Sequence, residues 1–225
     1  GTSVTSPGYR VSYSYFDSNS SDKKVFSRNA FEYGSSILLN TSAEYNGLGH
    51  SASVLGPNMD SYYMVYHNLI SVNDPYRHFN MARMLFNGSE LGVNHPEKKD
   101  NLVPQMPDFS SYEKEGLENQ GNLLLSTKET SDYFTAEYNL KDNGKKMVFS
   151  YTSPTDYAYI INEGTFISLH KISAEGDKEL SKVTLNKQYN YDALHTYRIQ
   201  YKESRFALYF DSMKKMDLTL DVSLK

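Results

Sequence analysis

The chain has 225 residues, enough for one large or two modest domains with a sizeable core. Hydrophobic residues make up 39% and charged residues 22%, a globular rather than disordered balance. The net charge of −4 argues against a nucleic-acid binder, which carries a basic face. Cysteine is absent, excluding disulfides and thiol catalysis while leaving the compartment open. No apolar run approaches the roughly 20 residues that span a bilayer as a helix.

Strand signals dominate in chain order. Tyr9 to Tyr15 alternates large with small or polar residues, as a half-buried strand does. Asp17 to Lys24 is a polar loop, and Ser35 to Asn40 is a short apolar run. Gly47-Leu48-Gly49-His50-Ser51 is a tight glycine-flanked loop presenting a histidine. Ala52–Leu55, Tyr62–Tyr66 and Phe79–Phe86 follow as three strands, with Gly56-Pro57-Asn58-Met59-Asp60 as a turn. A charged connector, Glu97 to Asn101, and the prolines at 104 and 107 mark a change of texture. The domain boundary is placed there, giving domains 1–104 and 105–225.

A second β pattern begins near Asn122: 123–125, 134–140, 146–151, 157–161, 166–172, 180–185, 195–201 and 206–210. Asp142-Asn143-Gly144 and Asn162-Glu163-Gly164 punctuate it, and such pairs are hairpin signals. Alternating strands in this order predict an antiparallel two-sheet sandwich. Twenty tyrosines without a tryptophan fit the strand reading. Most are assigned to sheet packing, although tyrosine also packs on sugar C–H faces.

The run from Gly47 to Ser53, the aromatic strand ending at Tyr66-His67, Ser6-Pro7-Gly8-Tyr9-Arg10, Tyr76-Arg77-His78-Phe79 and Arg83 to Gly88 together resemble glycoside hydrolase family 43. That family consists of five-bladed β-propeller enzymes acting on arabinose- and xylose-containing polysaccharides. The second half, with Leu194-His195-Thr196-Tyr197-Arg198-Ile199, resembles the lectin-like jelly roll appended to many of its members. The resemblance covers roughly residues 3–105 with specific motifs and 120–211 with looser ones. It implies an all-β fold: the last blades of a partial five-bladed propeller, followed by an antiparallel β-sandwich (jelly roll).

The same resemblance implies an inverting glycosidase whose three catalytic carboxylates lie upstream of Gly1, so that no residue here is catalytic by motif. The chain is then the C-terminal portion of an enzyme, short at both ends, with the N-terminal half of the same enzyme as its partner. Plant-type polysaccharide or oligosaccharide is the expected substrate. A secreted or periplasmic bacterial location follows from the resemblance alone. No cofactor is required; a calcium ion reached through water at His50 is what the resemblance adds.

Glu32, Glu44, Asp60 and Asp74 read as solvated loop carboxylates. From the residues alone, His50 caps a turn at a strand start; the resemblance makes it an active-site support projecting into the propeller channel. A neutral imidazole held by its other nitrogen suits that task. Arg77 is either a substrate-binding arginine, whose planar guanidinium suits bidentate hydrogen bonds, or an exposed arginine after Asp74-Pro75. Arg83 shares its face if the strand is regular. His67, at a strand end, reads as packed rather than ligating, and Ser51 lacks a nucleophile-elbow context. Asn68 to Tyr76 forms a long loop on the expected active-site rim. The rival class is a non-catalytic carbohydrate-binding β-protein whose sandwich holds glycan; an adhesion or structural β-protein stands third.

Overall fold

The computed structural model describes residues 3–14, 36–74, 76–88, 90–93, 104–112 and 114–220. Among these the fold is all-β: every regular helix-or-strand element is a strand. No helix is long and apolar enough to cross a membrane. Glu32, the 17–24 loop and the 97–101 connector lie outside the described residues. The chain divides into two compact units, Gly1–Asp108 and Phe109–Lys225.

In the first unit, β1 (Arg10–Tyr13) pairs antiparallel with β2 (Ser36–Asn40). Four further strands, β3 (Asn46–Leu55), β4 (Tyr62–Leu69), β5 (Arg77–Phe86) and β6 (Leu91–Val93), form an antiparallel meander in sequence order. A four-stranded meander is the repeating element of a propeller blade. One face is covered: Leu48, Met64, Tyr66 and Ala82 pack with Leu38 and Leu39 of β2. The alternation of strand side chains therefore turns Val65, His67, Arg77 and Phe79 to the opposite face. Phe79 is 75% exposed there.

In the second unit a two-stranded sheet, β7 (Leu117–Gln120) with β8 (Leu123–Ser126), precedes two four-stranded antiparallel sheets. One contains β10 (Lys146–Ser153), β11 (Asp156–Asn162), β12 (Phe166–Ser173) and β13 (Gly176–Thr184) in sequence order. The other runs β16 (Met213–Thr219), β15 (Arg205–Phe210), β14 (His195–Lys202), β9 (Tyr133–Leu140). Both contribute to one core, in which Ile160, Leu169, Ile199, Leu208 and Phe210 are fully buried. This is the sandwich that the sequence predicts. Along β14 the residues His195, Tyr197, Ile199 and Tyr201 are buried in strict alternation, the mark of a sheet with one solvated face.

A polar hub sits inside that core. Asn162, 1% exposed, donates from Nδ2 to the Tyr197 hydroxyl at 2.8 Å. Its Oδ1 accepts from the Gly164 amide at 2.8 Å and from the Tyr191 hydroxyl at 3.2 Å. Burial is the main reason that the Tyr197 hydroxyl is pushed up to about 12. Beyond Phe210, where the last strand expected from the sequence ends, lies β16, which pairs Met213 with Phe210 and Thr219 with Arg205.

Candidate functional site

The glycine-flanked loop of the sequence reading is instead part of a strand. His50 lies inside β3, whose pairing with β4 shifts register between Asn46 and Gly49 and again between Gly49 and Ala52. The double irregularity is a bulge, which re-aims a side chain without ending the strand. His50 adopts φ 52°, a left-handed conformation uncommon for any residue other than glycine. Strain of this kind persists only where surrounding structure enforces it.

Both glycines have a steric reason. Gly47 sits at φ 62°, and a Cβ there would lie 2.7 Å from Leu69 Cγ and 2.8 Å from the Val4 carbonyl oxygen. A Cβ on Gly49 would lie 2.9 Å from Tyr9 Cζ. The Tyr9 ring therefore rests on bare backbone at Gly49, and it also stacks on His67, with centroids 6.2 Å apart.

The meander brings His50, Ala52, Val65, His67, Arg77 and Phe79 around one open concavity of about 300 Å³. The His50 and His67 rings lie 5.9 Å apart. His67 pairs with Phe79 and Leu69 with Arg77 in an unbroken β4–β5 register, which sets Arg77 one strand over from His67 and two from His50. Arg83 is on the same face by that regular register but pairs with Tyr63. Six residues along a strand is about 20 Å, and Arg83 does not reach the concavity. Leu69 still belongs to β4, so the expected rim loop begins only at Ile70.

His67, expected from the sequence to be packed rather than ligating, lines the concavity. It is 7% exposed, and its Nε2 is buried without a hydrogen-bond partner among the described residues. Burial, the Arg77 guanidinium and then His50 hold its pKa below the ordinary imidazole value, so it is neutral at pH 7. A neutral imidazole with one free nitrogen can accept from, or donate to, a hydroxyl placed in the concavity.

No carboxylate among the described residues lines the concavity. Glu44, Asp60 and Asp74 stand elsewhere. Glycoside hydrolysis needs two carboxyl groups across the scissile bond; the described lining offers imidazole, guanidinium and aromatic groups instead. Nor do they fit a calcium ion held directly. Calcium takes oxygen ligands, the concavity offers the imidazoles of His50, His67 and His78 and one cation, and no group of three His, Cys, Asp or Glu among the described residues can hold a metal.

A second constellation in the sandwich resembles a nucleophilic triad only in composition. His170 Nδ1 lies 2.9 Å from Asp177 Oδ1 and its Nε2 lies 2.9 Å from Ser168 Oγ. Tyr159 donates to Asp177 Oδ2 at 2.6 Å and stacks on His170 at 4.9 Å. Ser168 is 1% exposed, so no substrate reaches its hydroxyl. The network ties β11, β12 and β13 together.

No protein-family model and no curated protein matches the chain. Among solved structures it is similar to a carbohydrate binding module, CBM66, from Bacillus subtilis, at 18% identity over 45% of this chain and 66% of that one, with a TM-score of 0.38. It is also similar to the GH43 BlXynB protein from Bacillus licheniformis, at 13% identity over 80% of this chain and 47% of that one, TM-score 0.32. A xylan β-1,4-xylosidase from Bacillus halodurans C-125 matches at 11% identity over 80% of this chain and 46% of that one, TM-score 0.32. The chain thus spans about half the length of these two proteins, and none of the alignments transfers a residue role to it.

Proposed function

We propose that the chain is the C-terminal portion of a carbohydrate-active enzyme resembling family 43, an inverting glycoside hydrolase acting on arabinosyl or xylosyl linkages. The observation that carries this reading is the convergence of His50 and Arg77 on one concavity, joined there by His67. The motif resemblance singles out the first two independently of any geometry. In this reading His50 and His67 support the reacting sugar's surroundings and Arg77 binds substrate hydroxyls. The acid and base come from a segment preceding Gly1, and the protein is secreted or periplasmic.

The test is hydrolysis of aryl arabinofuranosides and xylosides by the chain alone and by the chain joined to its upstream segment. The longer protein is expected to release the phenol and to give the sugar with inverted anomeric configuration by NMR, while the chain alone is inert. Retained configuration, or no hydrolysis by the longer protein, would sink the reading.

One observation favours a second reading, a non-catalytic carbohydrate-binding protein: no carboxylate among the described residues lines the concavity. That reading predicts glycan binding without turnover in both forms.

A further inference from the structure

The face of the β16-β15-β14-β9 sheet that points away from the sandwich core carries a depression of about 290 Å³. Three transverse rows build it. The central row, Thr135–Gln200–Ala207–Asp217, crosses all four strands in register. Ala207, 8% exposed, is its floor: a methyl group among longer neighbours leaves a channel. One wall is the row Tyr133–Lys202–Arg205, and the other is Tyr209 with its partner Lys214. Three inter-strand steps of about 4.8 Å make a channel about 14 Å long.

The chemistry of the lining is specific. Tyr133 is 71% exposed, and Lys202 Nζ stands 5.4 Å from its ring centroid. Lys214 Nζ stands 5.7 Å from the Tyr209 ring. Asp217 is the one carboxylate in the lining. It is already engaged: Arg205 donates to both its oxygens at 3.0 and 3.1 Å, and Lys214 donates at 2.8 Å. Three cations thus face one carboxylate, and Lys202 has no acidic partner among the described residues. The Gln200 amide makes no hydrogen bond among them either, leaving a donor and an acceptor over the floor. Flat rings, a free amide and surplus cations, in a protein whose net charge is −4, describe a local site for an anion with hydroxyl groups.

We propose that this channel binds a short acidic oligosaccharide, its carboxylates on Lys202 and Lys214, its hydroxyls on Gln200 and Thr135, and a sugar face on Tyr133. This rests on the sandwich unit and deepens the carbohydrate-binding reading, yet it stands whether or not the first unit belongs to a hydrolase. A peptide is disfavoured because the channel runs across the strands and offers no free edge for strand addition. Nucleic acid is disfavoured by the chain's overall acidity.

The test is calorimetric titration of the full chain with tetragalacturonate, using xylotetraose and an oligoglutamate peptide as comparators, at low and high salt. Tetragalacturonate is expected to bind, more weakly at high salt, and both comparators to bind at least about tenfold more weakly, a difference of about 1.4 kcal/mol. Lys202→Gln/Lys214→Gln is expected to weaken tetragalacturonate binding about tenfold or more, with an unchanged unfolding temperature. Ala207→Met, which fills the floor without changing charge, is expected to abolish it. Absence of binding, equal binding of either comparator, or indifference to the double lysine substitution would overturn the proposal. Xylotetraose binding as well as the uronate would do so while sparing the broader carbohydrate reading.

Discussion

Tyr9 stacks on His67 while its ring covers the bare backbone of Gly49, the residue paired with His67 across β3 and β4. One aromatic ring thereby fixes both halves of the candidate site: the bulge that carries His50 and the imidazole beside it. Gly49→Ala puts a methyl group into that ring, and overpacking of this kind costs about 1–3 kcal/mol. Chemical denaturation is expected to read a loss in that range, and Tyr9→Ala in the same chain is expected to cancel much of it. Additive losses in the double-mutant cycle would show that the two residues are not in contact.

His67 makes the first unit acid-sensitive. Its folded pKa lies below the ordinary 6.5, through burial first, then Arg77 and His50. The unfolded chain therefore takes up the proton more readily than the folded one. Stability is full above about pH 6.5 and is lost as pH falls through the lowered folded value. Amide hydrogen exchange at Met64, Val65 and Tyr66 is expected to lose protection over that window, and His67→Gln to flatten the dependence. A parallel pH profile in the variant would assign the sensitivity to another group.

Asp177 is held below the usual carboxylate range. Burial, the largest single influence, acts the other way and is outweighed by the hydrogen bonds from Tyr159 and His170 and by the charges of His170 and Lys146. Its contribution is present above the unfolded value of 3.8 and is lost as pH falls through the folded one. Tyr159→Phe removes one donor, so the Asp177 carboxyl carbon is expected to titrate at higher pH by NMR. An unchanged midpoint would mean that the hydroxyl contact contributes nothing.

Asn162 holds three partners inside the sandwich: the hydroxyls of Tyr197 and Tyr191 and the Gly164 amide. Asn162→Leu leaves buried polar groups unsatisfied, each costing about 1–3 kcal/mol. A total loss of about 2–4 kcal/mol is expected from urea unfolding. A loss under about 1 kcal/mol would mean that the core relaxes around the change.

What could be read from the sequence followed the local signals. The sandwich strands were legible because β14 alternates buried and exposed residues without interruption. Gly47, Gly49 and His50 were legible as a motif, but the register shifts that place His50 within a strand depend on β4 and leave no local signature. His67 was within reach: Met64 and Tyr66 form the core face, so parity turns Val65 and His67 outward, toward Arg77. The position of Tyr9 was not, because only folding brings it to Gly49. In β16, Met213-Lys214-Lys215-Met216 breaks alternation, and the partner strand shifts register between Leu208 and Tyr209. A period-two pattern cannot survive such a shift.

Whether the concavity belongs to an active site is read from the turnover of an aryl arabinofuranoside or xyloside by the protein carrying its upstream segment, compared with His50→Ala and Arg77→Ala. A fall of at least about tenfold in kcat is expected for His50→Ala, about 1.4 kcal/mol of transition-state stabilisation. For Arg77→Ala the expected change is a rise chiefly in KM. Wild-type turnover in the His50 variant would contradict the assignment of this concavity to the active site.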